Sequence, residues 1–280
     1  MSVIWDVRLP LDLFLGGVGV GAFLLAVALS RDEKYKELAK IGAYLAPSAV
    51  LLGVLIMITE LGQPIRMMTT YWFRANPSSA FGWGGWLQTL FIVVSAAYAW
   101  MWYKERDESL RNTIGYIGAF LAIAVGAYHG VLLSLVEGTR PLWNAVVPAL
   151  FITSALATGM AAVMLIGAIK IEALDNTKKL TRPLTFILGT QGFLLLIYLL
   201  SLSVNHSPEA VLGMQALVSG GYSMAFWFGS ILLGLLVPLG LVAYSQSGTA
   251  MRFAALLILV GGFFLRYSVM MAGQVVPIPW

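Results

Sequence analysis

The chain has 280 residues, of which 59% are hydrophobic and 11% charged, and a formal net charge of +4. A soluble domain carries about 25% charged residues, so this composition excludes an ordinary soluble fold. Its apolar runs of about 20 residues between short polar loops also exclude a barrel of alternating strands. There are no cysteines, which rules out thiolate ligation of an iron–sulfur cluster, thioether-bound haem and disulfides.

The pattern predicts an all-α polytopic membrane protein with eight transmembrane helices, at about 11–29, 41–60, 80–102, 113–135, 148–169, 183–203, 222–244 and 252–273. Each covers ~30 Å of hydrocarbon at about 1.5 Å per residue. Asp6 and Arg8 lie just before Leu11, where a full-length helix begins, so no cleavable signal is expected.

Twelve of the seventeen basic residues fall in the loops after spans 1, 3, 5 and 7: Arg31, Lys34, Lys36, Lys40, Lys104, Arg106, Arg111, Lys170, Lys178, Lys179, Arg182 and Arg252. By the positive-inside rule those loops are cytoplasmic and both termini lie on the outer side. Orientation in the bilayer thus accounts for the positive charge, with no need for nucleic acid as a partner. The outer segments hold Trp5, Trp72, Phe73, Trp83, Trp86, Trp143 and Trp280. Part of this is an aromatic belt; its concentration on one face points to a surface that packs on something.

The polar residues concentrate in the stretch Tyr128 to Ala161, where a helix ends in Tyr128, His129, Glu137, Arg140, Trp143 and Asn144 and a second begins at Pro148. Gly16, Gly17, Gly19 and Gly21 in the first span, and Ser154, Ala155, Thr158 and Gly159 in the fifth, allow close backbone approach. Aligning these two small-residue helices divides the chain into two four-helix bundles, residues 1–147 and 148–280.

Ionisable groups at membrane depth cost about 2.5–3.5 kcal/mol at the bilayer centre and need a reason. Asp12, Glu60, Tyr128, His129, Glu137, Arg266 and Gln274 all fall in the outer half of the expected spans, whereas Gln88 and Gln191 read as scattered candidates nearer the inner side. The plain alternatives are interfacial acids at helix ends, belt aromatics, a satisfied interior histidine and, for Arg266, an ion pair with an acid.

Three functional classes compete. A quinone-binding subunit needs an apolar pocket near one face, with a His, Tyr or acid to bond the ring oxygens and exchange protons. A transporter needs a midplane site on broken helices, and Pro238 is the clearest mid-span interruption. A b-type haem anchor needs paired axial histidines; with only His129 and His206, and His206 in the outer loop SLSVNHSPEA, one haem is unfavoured.

Five ordered motifs span nearly the whole chain: PLDLFLGGVGVGAFLL (10–25), ELGQPIRM (60–67) with NPSSAFGWGGWL (76–87), Tyr128-His129-Gly130 with VLLS, PLWNAVVPALFITSALATGMA (141–161) and GGFFLRYSVMMAGQ (261–274). With these the chain resembles the NrfD/PsrC family, the integral membrane subunits of polysulfide reductase-like respiratory complexes. The resemblance implies an eight-helix anchor without its own metal, haem or iron–sulfur cluster. It would exchange electrons between a non-covalently bound quinone, menaquinone foremost, and a four-cluster iron–sulfur subunit on the outer, periplasmic face of the cytoplasmic membrane. That subunit serves a molybdopterin-type catalytic subunit.

By the same resemblance the quinone pocket lies among the first four helices. Tyr128 matches the family's tyrosine, Asp12 a polar position of the first helix and Glu60 an acid before the LG-x-P turn. Arg266 and Gln274 match the pattern of the last helix. His129 stands where threonine is common, and Ala80-Phe81 where Met-Ser is common. The roles expected are Tyr128 and His129 hydrogen-bonding the ring, Asp12, Glu60 and His129 handling protons, and Arg140, Trp143 and Asn144 shaping the pocket rim or partner interface. The alternative function is a subunit that translocates protons or a small solute.

Overall fold

The computed structural model describes residues 5–63, 65, 79–105, 107–135, 138–170, 180–245 and 247–276. Glu137, Trp72, Phe73 and Trp280, read above as part of a polar and aromatic outer face, lie outside the described residues.

Eight helices are long and apolar enough to cross a membrane. They are α1 (Arg8–Leu29), α2 (Lys36–Glu60), α3 (Ala80–Tyr103), α4 (Glu108–Ser134), α5 (Val147–Lys170), α6 (Thr181–Ser203), α8 (Met224–Tyr244) and α9 (Gly248–Gly273). Among the described residues the fold is all-helical. Local chemistry sets several starts: Ser79 Oγ accepts from the Gly82 amide at 3.2 Å, and Asp107 Oδ1 from the Ser109 amide at 3.1 Å. Such caps satisfy amides that the first turn leaves without a partner.

One helix has no counterpart among the expected spans. α7 (Pro208–Val218) is eleven residues long, too short to span a bilayer. Its signals are ordinary ones: Ser207 accepts from the Ala210 amide, Pro208 opens the first turn and Glu209 follows. Gly213 lets it lie against Leu142, which is fully enclosed. Within α8, residues Met224–Leu236 wind as a π-helix and Val237–Tyr244 as an α-helix. Pro238 sits at this change of winding, where the amide hydrogen it lacks interrupts the regular ladder.

α1 is the hub. It packs against α2, α4, α5 and α9, and 67% of its apolar window is enclosed, as in α5, against 28% for α6. Its glycines make this possible. A Cβ at Gly19 would meet the Ala46 carbonyl of α2 at 2.8 Å, and one at Gly21 would collide with the Ala155 carbonyl of α5. Further contacts run α2–α3 and α3–α4, then α5–α6, α6–α8, α8–α9 and α5–α9. Leu51, Leu55, Val93, Phe120, Phe186 and Phe193 stay exposed on the outer faces of α2, α3, α4 and α6. In water such a surface would aggregate; in lipid it is the solvent-facing side.

Candidate functional site

The glycines of α1 also seat polar side chains. His129 of α4 is 2% exposed and rests against Gly16; a Cβ there would stand 2.5 Å from Cε1 and 3.2 Å from Nε2. Arg266 of α9, 1% exposed, rests against the next residue, Gly17. Asp12 lies one turn before Gly16 on the same stripe of α1. Its carboxyl faces Gly53 of α2, where a Cβ would stand 2.8 Å from Oδ1. Asp12, His129 and Arg266 therefore come from three helices to one short segment of α1, and only hydrogen atoms on Gly16, Gly17 and Gly53 leave them room.

Each of the three is held differently. His129 Nε2 lies 3.0 Å from Gln88 Nε2 of α3. Arg266 Nη1 donates to Ser154 Oγ and the Gly262 carbonyl, both at 3.0 Å, and Nη2 to the Phe151 carbonyl at 3.4 Å, with the guanidinium 5.4 Å from the Phe151 ring centre. The expected ion pair of Arg266 with an acid is not formed among the described residues; neutral oxygens of α5 and α9 stand in for the carboxylate. Asp12 Oδ1, Glu60 Oε2 and Arg266 Nε are buried with no hydrogen-bond partner among the described residues. Unpaired polar atoms of this kind mark where water or a ligand group is bound.

Gln88 thus belongs to the site and not to the scattered inner groups. α3 starts at Ala80, so at about 1.5 Å per residue Gln88 lies ~12 Å in from that end, at the depth of His129. Tyr128 is half-buried on the adjacent face of α4, its ring 6.2 Å from that of His129. It lies over Gly84 of α3, where any Cβ would overlap its phenol.

The other predicted residues form two neighbouring clusters. In the first, the chain before α1 is strapped to the ends of α2 and α9. Asp6 N donates to Glu60 Oε1 at 2.6 Å, Arg8 Nη1 to the Thr59 carbonyl at 2.5 Å, and Arg8 pairs with Asp6 at 2.8 Å. The Arg8 guanidinium beside Asp6 holds its carboxyl below the usual carboxylate range. The Gln274 amide takes both backbone groups of Trp5, accepting from N at 2.8 Å and donating to O at 3.1 Å.

In the second cluster, Arg140 Nη1 donates to the Gly273 carbonyl at 3.3 Å and its guanidinium lies 4.9 Å from the Trp143 ring centre. Trp143 Nε1 donates to the Val269 carbonyl at 3.1 Å, and Gly273 makes way for its indole. A cation on the last carbonyls of a helix is favoured by the helix dipole, although burial lowers the pKa of Arg140 from its ordinary value. Asn144 turns the other way. Its Nδ2 donates to Ser201 Oγ at 2.7 Å, and Oδ1 accepts from the Val146 amide at the start of α5. Arg140, Trp143 and Asn144 bind α9 and α6 to the turn before α5.

His206 is exposed in the turn between α6 and α7, as expected. No cluster of three metal-ligating side chains occurs among the described residues.

The profile of the polysulphide reductase, NrfD family matches residues 1–278. The chain belongs to the NrfD family. It is 28% identical to the C subunit of the polysulfide reductase of Wolinella succinogenes, over 98% of this chain and 95% of the relative. Protein NrfD of Escherichia coli is 27% identical, over 98% and 96%. The integral membrane subunit of the Hdr-like menaquinol oxidoreductase of Archaeoglobus fulgidus is 24% identical, over 93% and 68%. Membership makes this chain a multi-pass membrane protein of a family of oxidoreductase-complex subunits.

Proposed function

We propose that the chain is the quinone-interacting membrane anchor of a respiratory oxidoreductase. In this reading it exchanges electrons with an iron–sulfur subunit on the outer face of the cytoplasmic membrane, which serves a molybdopterin-type catalytic subunit. Menaquinone is the expected quinone, in keeping with the relative named for menaquinol. Both termini then face outward, and the chain is two four-helix bundles, residues 1–147 and 148–280, with the pocket in the first.

The observation that carries this reading is the seating of Asp12, His129 and Tyr128 against Gly53 of α2, Gly16 of α1 and Gly84 of α3. The residues fit a ring with two oxygens. Asp12 Oδ1 has no hydrogen-bond partner among the described residues, the second ring nitrogen of His129 is free of hydrogen bonds among them, and Gly16 and Gly84 seat the rings of His129 and Tyr128. A bound quinol supplies two electrons and two protons. Tyr128 and His129 bind the ring oxygens, while Asp12 or Glu60 holds a proton on its way out; Glu60 connects through Oε1 to the exposed Asp6. Arg266 stays on Gly17 behind the pocket, and Arg140, Trp143 and Asn144 brace its rim.

The test is co-purification from mild detergent, with iron analysis and quinone extraction on one sample. Recovery with an iron–sulfur protein and bound quinone supports the reading; a lone, iron-free and quinone-free chain from well-assembled membranes refutes it. Within an assembled complex, unchanged quinol-linked turnover in both Tyr128→Phe and His129→Ala would refute the role assignment.

A second reading is proton translocation through the same subunit. It is favoured by Gln191 Oε1 of α6 and Ser230 Oγ of α8, which are buried without a hydrogen-bond partner among the described residues and would be satisfied by water. Proton uptake by the reconstituted complex in liposomes tests it, with Gln191→Leu expected to abolish translocation while sparing quinol oxidation.

A further inference from the structure

Gln88 and His129 are both buried, 5% and 2% exposed, and their side-chain nitrogens lie 3.0 Å apart. A carboxamide nitrogen carries two hydrogens and offers no lone pair. With that nitrogen turned toward the ring, Nε2 is the unprotonated nitrogen and the ring proton stays on Nδ1. We propose that Gln88 is a positioning residue that locks His129 as its Nδ1–H tautomer and so decides which hydrogen bonds the imidazole offers a ligand. The inference rests on the quinone reading for the identity of that ligand, but not for the tautomer itself.

Three features give the lock its effect. Gly16 fixes the ring plane, because the imidazole edge occupies the space of the missing side chain. Arg266 sits on the next residue, Gly17, and no carboxylate pairs with either group among the described residues. A cationic ring would therefore add a second buried charge of the same sign, which the neutral tautomer avoids. Third, Nε2 is occupied by Gln88 while Nδ1 has no hydrogen-bond partner among the described residues, so the ring has one free donor and no free acceptor.

The consequence is a division of labour. His129 recognises an oxygen lone pair through Nδ1–H and is not placed to accept a proton from a ring hydroxyl. Proton acceptance falls to the carboxyls with an unpartnered oxygen, Asp12 and Glu60. Sequence alone makes His129 look like the base of the site; its bond to Gln88 makes it a donor.

The chain has only two histidines, and His206 is exposed in a loop, so ¹⁵N-histidine labelling of the full chain in lipid nanodiscs gives an assignable spectrum, with His129→Ala as the reference. Two-bond ¹⁵N–¹H correlations are expected to show His129 with an unprotonated Nε2 and a protonated Nδ1. Gln88→Met, close in volume and without the donor, is expected to turn the Nε2–H form from minor to major. A protonated Nε2 in the wild type overturns the inference, and that measurement decides even if the variant does not fold. An unchanged spectrum in folded Gln88→Met also overturns it. Adding a soluble naphthoquinone is expected to move the Nδ1 resonance. If the tautomer is as stated but saturating naphthoquinone moves nothing, the lock stands and the quinone reading falls.

Discussion

Replacing Gly16 by alanine should injure the site through His129 and through little else. The new Cβ would stand 2.5 Å from His129 Cε1 and 3.2 Å from Nε2. The ring would have to withdraw by about 1 Å to reach the ~3.5 Å at which such atoms attract. It cannot do so and keep its 3.0 Å bond to Gln88. Overpacking of this kind costs about 1–3 kcal/mol and the lost hydrogen bond about 1 kcal/mol, so a loss of roughly 2–4 kcal/mol is expected. Thermal unfolding in detergent measures it. Gly189→Ala in α6 is the control, since nothing lies within 4 Å of a Cβ there and helix propensity favours alanine by up to ~1 kcal/mol. The decisive comparison adds His129→Ala. With the imidazole gone, Gly16→Ala should cost about 1 kcal/mol or less, a coupling of more than ~1 kcal/mol in the double-mutant cycle. A Gly16→Ala loss no larger than that of Gly189→Ala, or costs that simply add in the double variant, would refute this account of the glycine.

Further outcomes follow from the neighbouring clusters. Gln274→Ala removes both bonds to the Trp5 backbone, worth about 1 kcal/mol each; hydrogen exchange at residues 5–8 should quicken roughly thirty-fold while α9 stays protected. Arg266→Met should shift the melting temperature little, because the lost partners are a serine hydroxyl and helix carbonyls and a buried cation is often replaced by an apolar side chain at small cost. Arg266→Ala should cost more, through the cavity it leaves; equal stabilities for the two variants would contradict the packing role. Acid should loosen the strap before α1. The folded-state pKa of Asp6 lies below its ordinary 3.8, so its contribution is fully present above that value and is lost as pH falls below it through the lower folded value. Protease nicking near residues 5–8 in a pH series should rise only on that acid side, and a rise near neutral pH would sink the assignment.

The spans are legible because a long apolar run admits few alternatives, and because short loops force the helices to alternate. Even so, α2 starts at Lys36 and not near residue 41: its first turn is charged, and hydropathy cannot see a helix that continues beyond the hydrocarbon. α7 escapes for the opposite reason. Its cap and proline are in plain view, but a search tuned to membrane length has no place for eleven residues. Within the site, the candidates Asp12, Tyr128, His129 and Arg266 can be read from the rarity of such groups at membrane depth. Their partners cannot. Gln88 is 41 residues from His129, Ser154 is 112 from Arg266, and Gln274 is 269 from Trp5; only the packing of the helices joins them. Arg266 shows the limit most clearly, since charge alone argues for an acid and the fold supplies three neutral oxygens.

The glycines of α1 join these two levels. A run of small residues in a membrane helix reads as a packing surface, and Gly19 and Gly21 are that: backbone of α2 and α5 lies where their side chains would be. Gly16 and Gly17, one turn nearer the N-terminus, meet side chains first. They face the imidazole of His129 and the guanidinium of Arg266. The same residue type thus serves close approach at one depth of the helix and houses polar side chains at another. What separates the two uses is the neighbour each glycine meets. A motif read only as small-xxx-small would assign all four to helix association. Alanine at Gly19 or Gly21 should then weaken the whole assembly of α1, α2 and α5, whereas alanine at Gly16 should be relieved by removing one side chain.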